Sequence, residues 1–185
     1  MCTLAFGHHE NRTPTHGYEP TREAAMAAEL AARVRMTWDP DDKDRTALHE
    51  AGHAVVAWSF GVTVGCIHLD LENKSGHTMV ASTAHLQPFE QIAQCLAGFE
   101  AEQAFKPPAN QSRAGYDRYH HVPPILRANG TSDDEPKGQE LLRQGHICSE
   151  KRLHEHESKV RAVARHLVEH HYMDRVVFEA MMKEN

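Results

Sequence analysis

The segment Thr46–Trp58 constrains the chain most, because it carries H-E-x-x-H inside an apolar, helix-forming run. On a helix, residues four apart lie on one face, so His49 and His53 can grip one metal ion together. Zinc accepts imidazole nitrogen readily, and two such donors supply half of a tetrahedral shell. Glu50 follows the first histidine, about 100° round the helix. There it misses the metal but reaches a water that the metal activates. The pattern predicts a zinc site with Glu50 as the general base for hydrolysis of a peptide bond. Four letters with two free positions also arise by chance in unrelated helices. Here the flanks are apolar and helix-forming, so the motif sits where that chemistry needs it.

At 185 residues the chain is long enough for one domain with a real core. Its net charge of −6, with no basic stripe, argues against non-specific nucleic-acid binding. No run approaches the ~18 apolar residues of a membrane span. The N-terminus lacks a basic segment followed by a long apolar one, so no signal peptide is expected. Cys2, Cys66, Cys95 and Cys148 are scattered, with no C-x-x-C, which predicts no disulfide framework and fits a reducing cytoplasm. Sixteen histidines are too many for the count alone to identify ligands.

Residues 1–37 read as an N-terminal arm, loose to about residue 20, with a helix over the Ala-rich stretch 24–35. Residues 38–185 read as the main domain. Trp38-Asp39-Pro40-Asp41-Asp42 is a turn and helix start, and Gly61 stops that helix near Phe60. Gly52 allows another element to approach beside the metal, or simply packs. Residues 62–71 read as a strand, 72–76 as a turn and 77–82 as the returning strand. That second strand is a candidate edge for holding an extended peptide by main-chain hydrogen bonds. His68 and His77 read as surface residues of the hairpin. Pro88 opens a second helix that runs to Phe105. Residues 106–130, rich in Pro, Asn and Gly, read as a long loop. A helical stretch follows from Thr131, with Pro136 and Gly138 limiting its first turn. The tail from Ser149 is helical, breaks near 171–174 and ends in a short helix whose apolar side carries Val176, Val177, Phe178 and Met181. His154 and His156 point about 200° apart on a helix and read as a solvated face. The predicted class is mainly α (α+β): a helical domain with a small β-hairpin or sheet and a C-terminal helical region.

A catalytic zinc site needs a third protein ligand and an open position. The metzincin extension would place Gly at 56 and His at 59; the chain has Val56 and Ser59, which excludes that class. A Glu from a following helix, as in thermolysin-like sites, leaves Glu100 and Glu102 as candidates. Leu48–Ala57, with its H-E-A-G-H-A core, resembles the peptidase domain of the FtsH family of ATP-dependent zinc proteases. Gly76-His77-Thr78-Met79 is similar to that family's G-x-T strand, Leu96–Glu102 to its L-G-G-R-A-A-E helix, and Gly130–Asp134 to its G-A-S-N-D segment. The resemblance covers roughly residues 44–182. It implies that His49, His53 and Asp134 bind zinc, that Glu50 activates water, and that Glu102 orients a histidine ring through its other N–H. Asp133 stands where the family has Asn, so it competes with Asp134 as ligand.

FtsH proteases place a membrane segment and an ATPase before the peptidase. This chain has about 40 residues there, without G-x-x-x-x-G-K-[ST]. The expected function is therefore a soluble, cytoplasmic, ATP-independent zinc metallopeptidase acting on peptides or unfolded proteins, alone, as a homo-oligomer or with a separate partner. His120 or His121 is a candidate to stabilise the oxyanion. The alternatives are a catalytically silent, zinc-stabilised binding or regulatory domain of the same fold, and an interaction protein using its helical tail. An intact Glu50 argues against a purely structural site.

Overall fold

A computed structural model describes residues 39–108 and 111–184; the predicted N-terminal arm and its helix lie outside the described residues. The metal-motif helix, α1, spans Pro40–Ser59. Asp39 caps it, its side chain accepting from the Asp41 N–H at 2.8 Å, and Pro40 occupies the first turn, where its missing N–H costs nothing. Every residue from Thr46 to Ala57 is buried, so α1 is not an amphipathic surface helix but the centre of the molecule. Gly61 ends it in the left-handed region (φ 76°). The Gly61 N–H reaches the Trp58 carbonyl and the Val62 N–H that of Ala57, the paired bonds of a Schellman motif.

Strands β1 (Val64–Asp70) and β2 (Ser75–Val80) form the predicted hairpin. In β1 the buried positions are Val64, then Ile67 and Leu69. An irregularity in the pairing between Val64 and Cys66 shifts the alternation by one, which keeps all three on the core side. A third strand, β3 (Tyr172–Asp174), joins β1 from the other side, giving the antiparallel order β2-β1-β3. In this sheet β2 is an edge strand.

Helix α2 spans Pro88–Phe105, α3 Gln111–Ala128, α4 Pro136–Glu155, α5 Glu157–His170 and α6 Arg175–Lys183. One core cluster joins Val55 and Val56 of α1 to Ile67 and Leu69 of β1, Val163 and Leu167 of α5, and Phe178 of α6. Each fully buried aliphatic or aromatic side chain contributes ~1.5–3 kcal/mol. A second cluster joins Ile92 and Leu96 of α2 to Val122 and Leu126 of α3 and Leu142 of α4. At Gly52 a β-carbon would lie 2.5 Å from the Ala97 carbonyl oxygen and 2.7 Å from the Ala101 methyl, so α1 and α2 touch backbone to backbone beside the motif.

The structure corrects four expectations. Most of residues 106–130 is helix, not loop: α3 continues through Pro123 and Pro124. Those prolines remove ladder donors, but Val122 and Leu126, four apart, are buried against α2 and hold the helix in place. Pro136 sits at the first helical position, where proline is favoured, and Gly138 lets α4 start against the 131–135 turn, since a β-carbon there would fall on the Ser132 carbonyl. The helical tail divides at His156 as well as at 171–174, and the latter break forms β3. In the last helix the buried residues are Phe178 and Met182, while Val176 is 75% exposed.

Candidate metal centre

The two ring nitrogens of His49 face different partners. Its Nδ1 lies 2.9 Å from Oε1 of the fully buried Glu102 on α2. A carboxylate accepts only, so Nδ1 carries the proton and donates, which leaves the Nε2 lone pair facing the other way. His53 Nδ1 lies 2.8 Å from the carbonyl of Gln94, about two helical turns along α2 from Glu102, and the same reasoning frees its Nε2. The two Nε2 atoms stand 3.1 Å apart. Asp117 on α3 completes the group, with Oδ2 2.9 Å from His49 Nε2 and 3.4 Å from His53 Nε2.

Three lone-pair-bearing atoms that converge this closely need a cation among them. Two donors held at 2.0–2.1 Å from a tetrahedral zinc stand ~3.3 Å apart, which matches the spacing here and the two-imidazole, one-carboxylate chemistry of the set. His49, His53 and Asp117 are the group among the described residues that can hold a metal. Gly98 of α2 makes room for it. A β-carbon at 98 would lie 2.5 Å from both Nε2 atoms. The rings are tied by their Nδ1 bonds and cannot both retreat. Gly98→Ala should lower zinc affinity by ~10–100-fold, the range for a disturbed outer shell, measured by competition with a chromogenic chelator.

Without metal, a proton serves as the cation. Burial works against the charged form of His49, but Asp117 and Glu102 accept from its ring and Glu50 lies nearby, and together they raise its pKa to about 9. Asp117 is partly buried, which by itself favours its neutral form, yet the two histidines hold its carboxyl well below the usual carboxylate range. A raised histidine pKa stabilises the fold fully below the unfolded value of 6.5, and that contribution disappears as pH rises through about 9. Zinc competes with the same proton. Metal-free protein should therefore lose thermal stability between pH 6.5 and 9, while zinc affinity rises over that window. Calorimetry in buffers of different ionisation enthalpy should show about one proton released per zinc bound at pH 7.5.

Glu50 is buried beside this group and held from the strand side. Thr78 Oγ1 lies 2.6 Å from Glu50 Oε2 and 3.1 Å from the Glu50 carbonyl. A hydroxyl has one proton, and the short bond to the carboxylate is the stronger use of it. A β-carbon at Gly76 would lie 2.5 Å from Glu50 Cγ. Both fixed letters of the G-x-T segment therefore serve Glu50. The group opens into a cleft of about 760 Å³ between β2, α2 and α3, which His77, Tyr116 and His121 also line. A second cleft, of about 600 Å³, lies around Leu48, Phe105 and Val168; it contains neither histidine nor cysteine, so the chemistry belongs to the first.

The other sequence candidates lie elsewhere. Asp134 is exposed in the turn before α4, outside the metal group. A hydrogen bond with the neighbouring Asp133, also exposed, raises its pKa. Glu100 points away from the metal group to α4, where Oε1 accepts from His146 Nδ1 at 2.5 Å. His120 is exposed and stacks on Tyr116, with ring centroids 4.4 Å apart. His68 and His77 are exposed partners across the hairpin. Sequence reasoning missed Asp117. The available signal was the Val122–Leu126 spacing, which implies a helix through 117 and places Asp117 and His121 on one face.

Residues 24–101 match the family model described as Peptidase M50B-like. The match supports a metallopeptidase domain of the M50 type and does not single out the FtsH family. It covers α1, the hairpin and most of α2, and ends before both Asp117 and Asp134. No curated protein matches the chain. No described helix is long and apolar enough to cross a membrane.

Proposed function

We propose that residues 38–185 form a zinc metallopeptidase that hydrolyses peptides or unfolded chains without ATP. The observation that carries this reading is the convergence of His49 Nε2, His53 Nε2 and Asp117 Oδ2 within 3.4 Å of one another, with the Glu50 carboxylate alongside. His49, His53 and Asp117 are the ligands in this reading, and Asp117 takes the place that the family resemblance gave to Asp134. When bound, zinc supplies Lewis acidity that polarises the scissile carbonyl and makes a water easier to deprotonate.

The remaining work falls to the chain's own residues. Glu50 takes a proton from the attacking water and returns it to the leaving amine, so hydrolysis is balanced with no other reactant. Thr78 aims the carboxylate for both transfers. Glu102 and the Gln94 carbonyl keep the two rings in the tautomer whose Nε2 faces the cleft. The β2 edge borders the cleft and offers main-chain groups to an extended substrate. His121 on the cleft wall is the better placed of the two histidine candidates for the oxyanion.

Chelation of zinc should abolish cleavage of an unstructured protein such as casein, and added zinc should restore it. His49→Ala and His53→Ala should each lose both metal and cleavage. Zinc-free protein that cleaves casein as well as the loaded form would sink the proposal. Stable zinc with no cleavage of any peptide would favour the zinc-stabilised binding domain instead.

A further inference from the structure

We infer that the cleft selects peptides carrying a carboxylate near the scissile bond, and that Lys74 is the residue that reads it. The inference rests on the metallopeptidase reading and names the substrate class for the same site.

The cleft has two carboxylates among its lining residues, Glu50 and Asp117, and both are committed to the metal centre and its base. Among the described residues no other acidic side chain lines it. Among the described residues the lysine or arginine that lines it is Lys74, at the turn between β1 and β2. Among the described residues no carboxylate forms an ion pair with Lys74, although Arg45, Lys106, Arg143 and Arg161 all have such partners. Two acidic residues precede Lys74 at this turn: Asp70, at the end of β1, is occupied with the Glu72 and Asn73 N–H groups and the Asn73 side chain, and Glu72 is exposed and forms no ion pair with Lys74. Lys74 is also held in the left-handed region, at φ 53°. Glycine and asparagine adopt that conformation readily and lysine does not, although Asn73 precedes it and Gly76 follows two residues on. The turn thus places its one cation at a backbone-strained position on the cleft rim, next to the strand edge where an extended peptide would lie. The chain as a whole carries −6, so a preference for anionic peptides would be set locally at this rim and not by the overall field.

The test is binding by the zinc-loaded Glu50→Gln protein, which holds peptide without cutting it. Four labelled decapeptides of otherwise identical sequence serve as probes, read by fluorescence anisotropy. One has an internal Glu and an amidated C-terminus, one Gln and an amidated C-terminus, one Lys and an amidated C-terminus, and one Gln with a free C-terminus. The Glu peptide should bind about five-fold tighter than its Gln counterpart, and the Lys peptide weakest, the scale of an exposed ion pair. A gain for the free C-terminus instead of the internal Glu would assign the carboxylate to the chain end. Either gain should shrink at ~0.5 M salt. Lys74→Asn suits the left-handed turn and should erase the preference, and Lys74→Glu should reverse it. Equal binding of all four peptides, or a preference that survives Lys74→Glu, overturns the inference while leaving the zinc reading intact. Failure to take up zinc at all overturns both.

Discussion

Asp117→Ala should remove zinc from the protein, whereas Asp134→Ala should leave it at about one ion per chain. The reason is placement. Asp117 Oδ2 stands 2.9 and 3.4 Å from the two Nε2 atoms, on a helix fixed by Val122 and Leu126 in the second core cluster. Asp134 is exposed and sits with another carboxylate in a turn. The loss at Asp117 should exceed the ~10–100-fold that removal of an outer-shell partner costs, because a ligand itself is gone. Asp117→Asn is the sharper variant, since it keeps the volume and removes the charge that holds two imidazoles together. Titration with zinc, followed by metal analysis after gel filtration, distinguishes the outcomes. In the metal-free state Asp117→Asn should also bring the His49 pKa down from about 9, because the carboxylate charge that favours the protonated ring is lost.

Glu50→Gln should retain zinc and lose ~10²–10⁴-fold in kcat, the usual worth of a positioned general acid–base group. Glutamine keeps the shape and still accepts from Thr78, so the fold and the metal group stay as they are. What it lacks is the capacity to take a proton from water. KM should change little, because the carboxylate acts on the reacting water and not on the remote peptide. Steady-state cleavage of a quenched fluorescent peptide, with metal content measured on the same samples, separates this result from loss of metal. Equal cleavage by wild type and Glu50→Gln would remove Glu50 from the mechanism.

The helix α1 was legible because its signals are local. Asp39-Pro40 and Gly61 mark its ends, and His49 and His53 need only the helical period to meet. The hairpin and α2 were legible for the same reason, through alternation and Pro88. Three features were not. The helix α3 contains Pro123 and Pro124, which read locally as breakers; it persists because buried Val122 and Leu126 offset them, a tertiary effect. That helix ends at Asn129-Gly130, where Gly130 takes φ 64° and closes a Schellman motif. The strand β3 is three residues long and exists only by pairing with β1 more than a hundred residues earlier in the chain. Asp117 followed from the first miss, since a residue placed in a loop gives no face to project onto the metal. The G-T-S-D-D resemblance put the expected third ligand at Asp134, which lies in an exposed turn outside the His49, His53 and Asp117 group. The ring-orienting role of Glu102 came from the resemblance, beside a thermolysin-like reading that made it a ligand candidate, and its position under His49 Nδ1 is the observation that supports the orienting role.

The most direct measurement is anomalous diffraction at the zinc edge from crystals grown with the metal. The account predicts one strong peak ~2.0–2.2 Å from His49 Nε2, His53 Nε2 and a carboxylate oxygen of Asp117. A peak coordinated by Asp134, by Asp133 or directly by Glu102, or no peak between the two histidines, would contradict it.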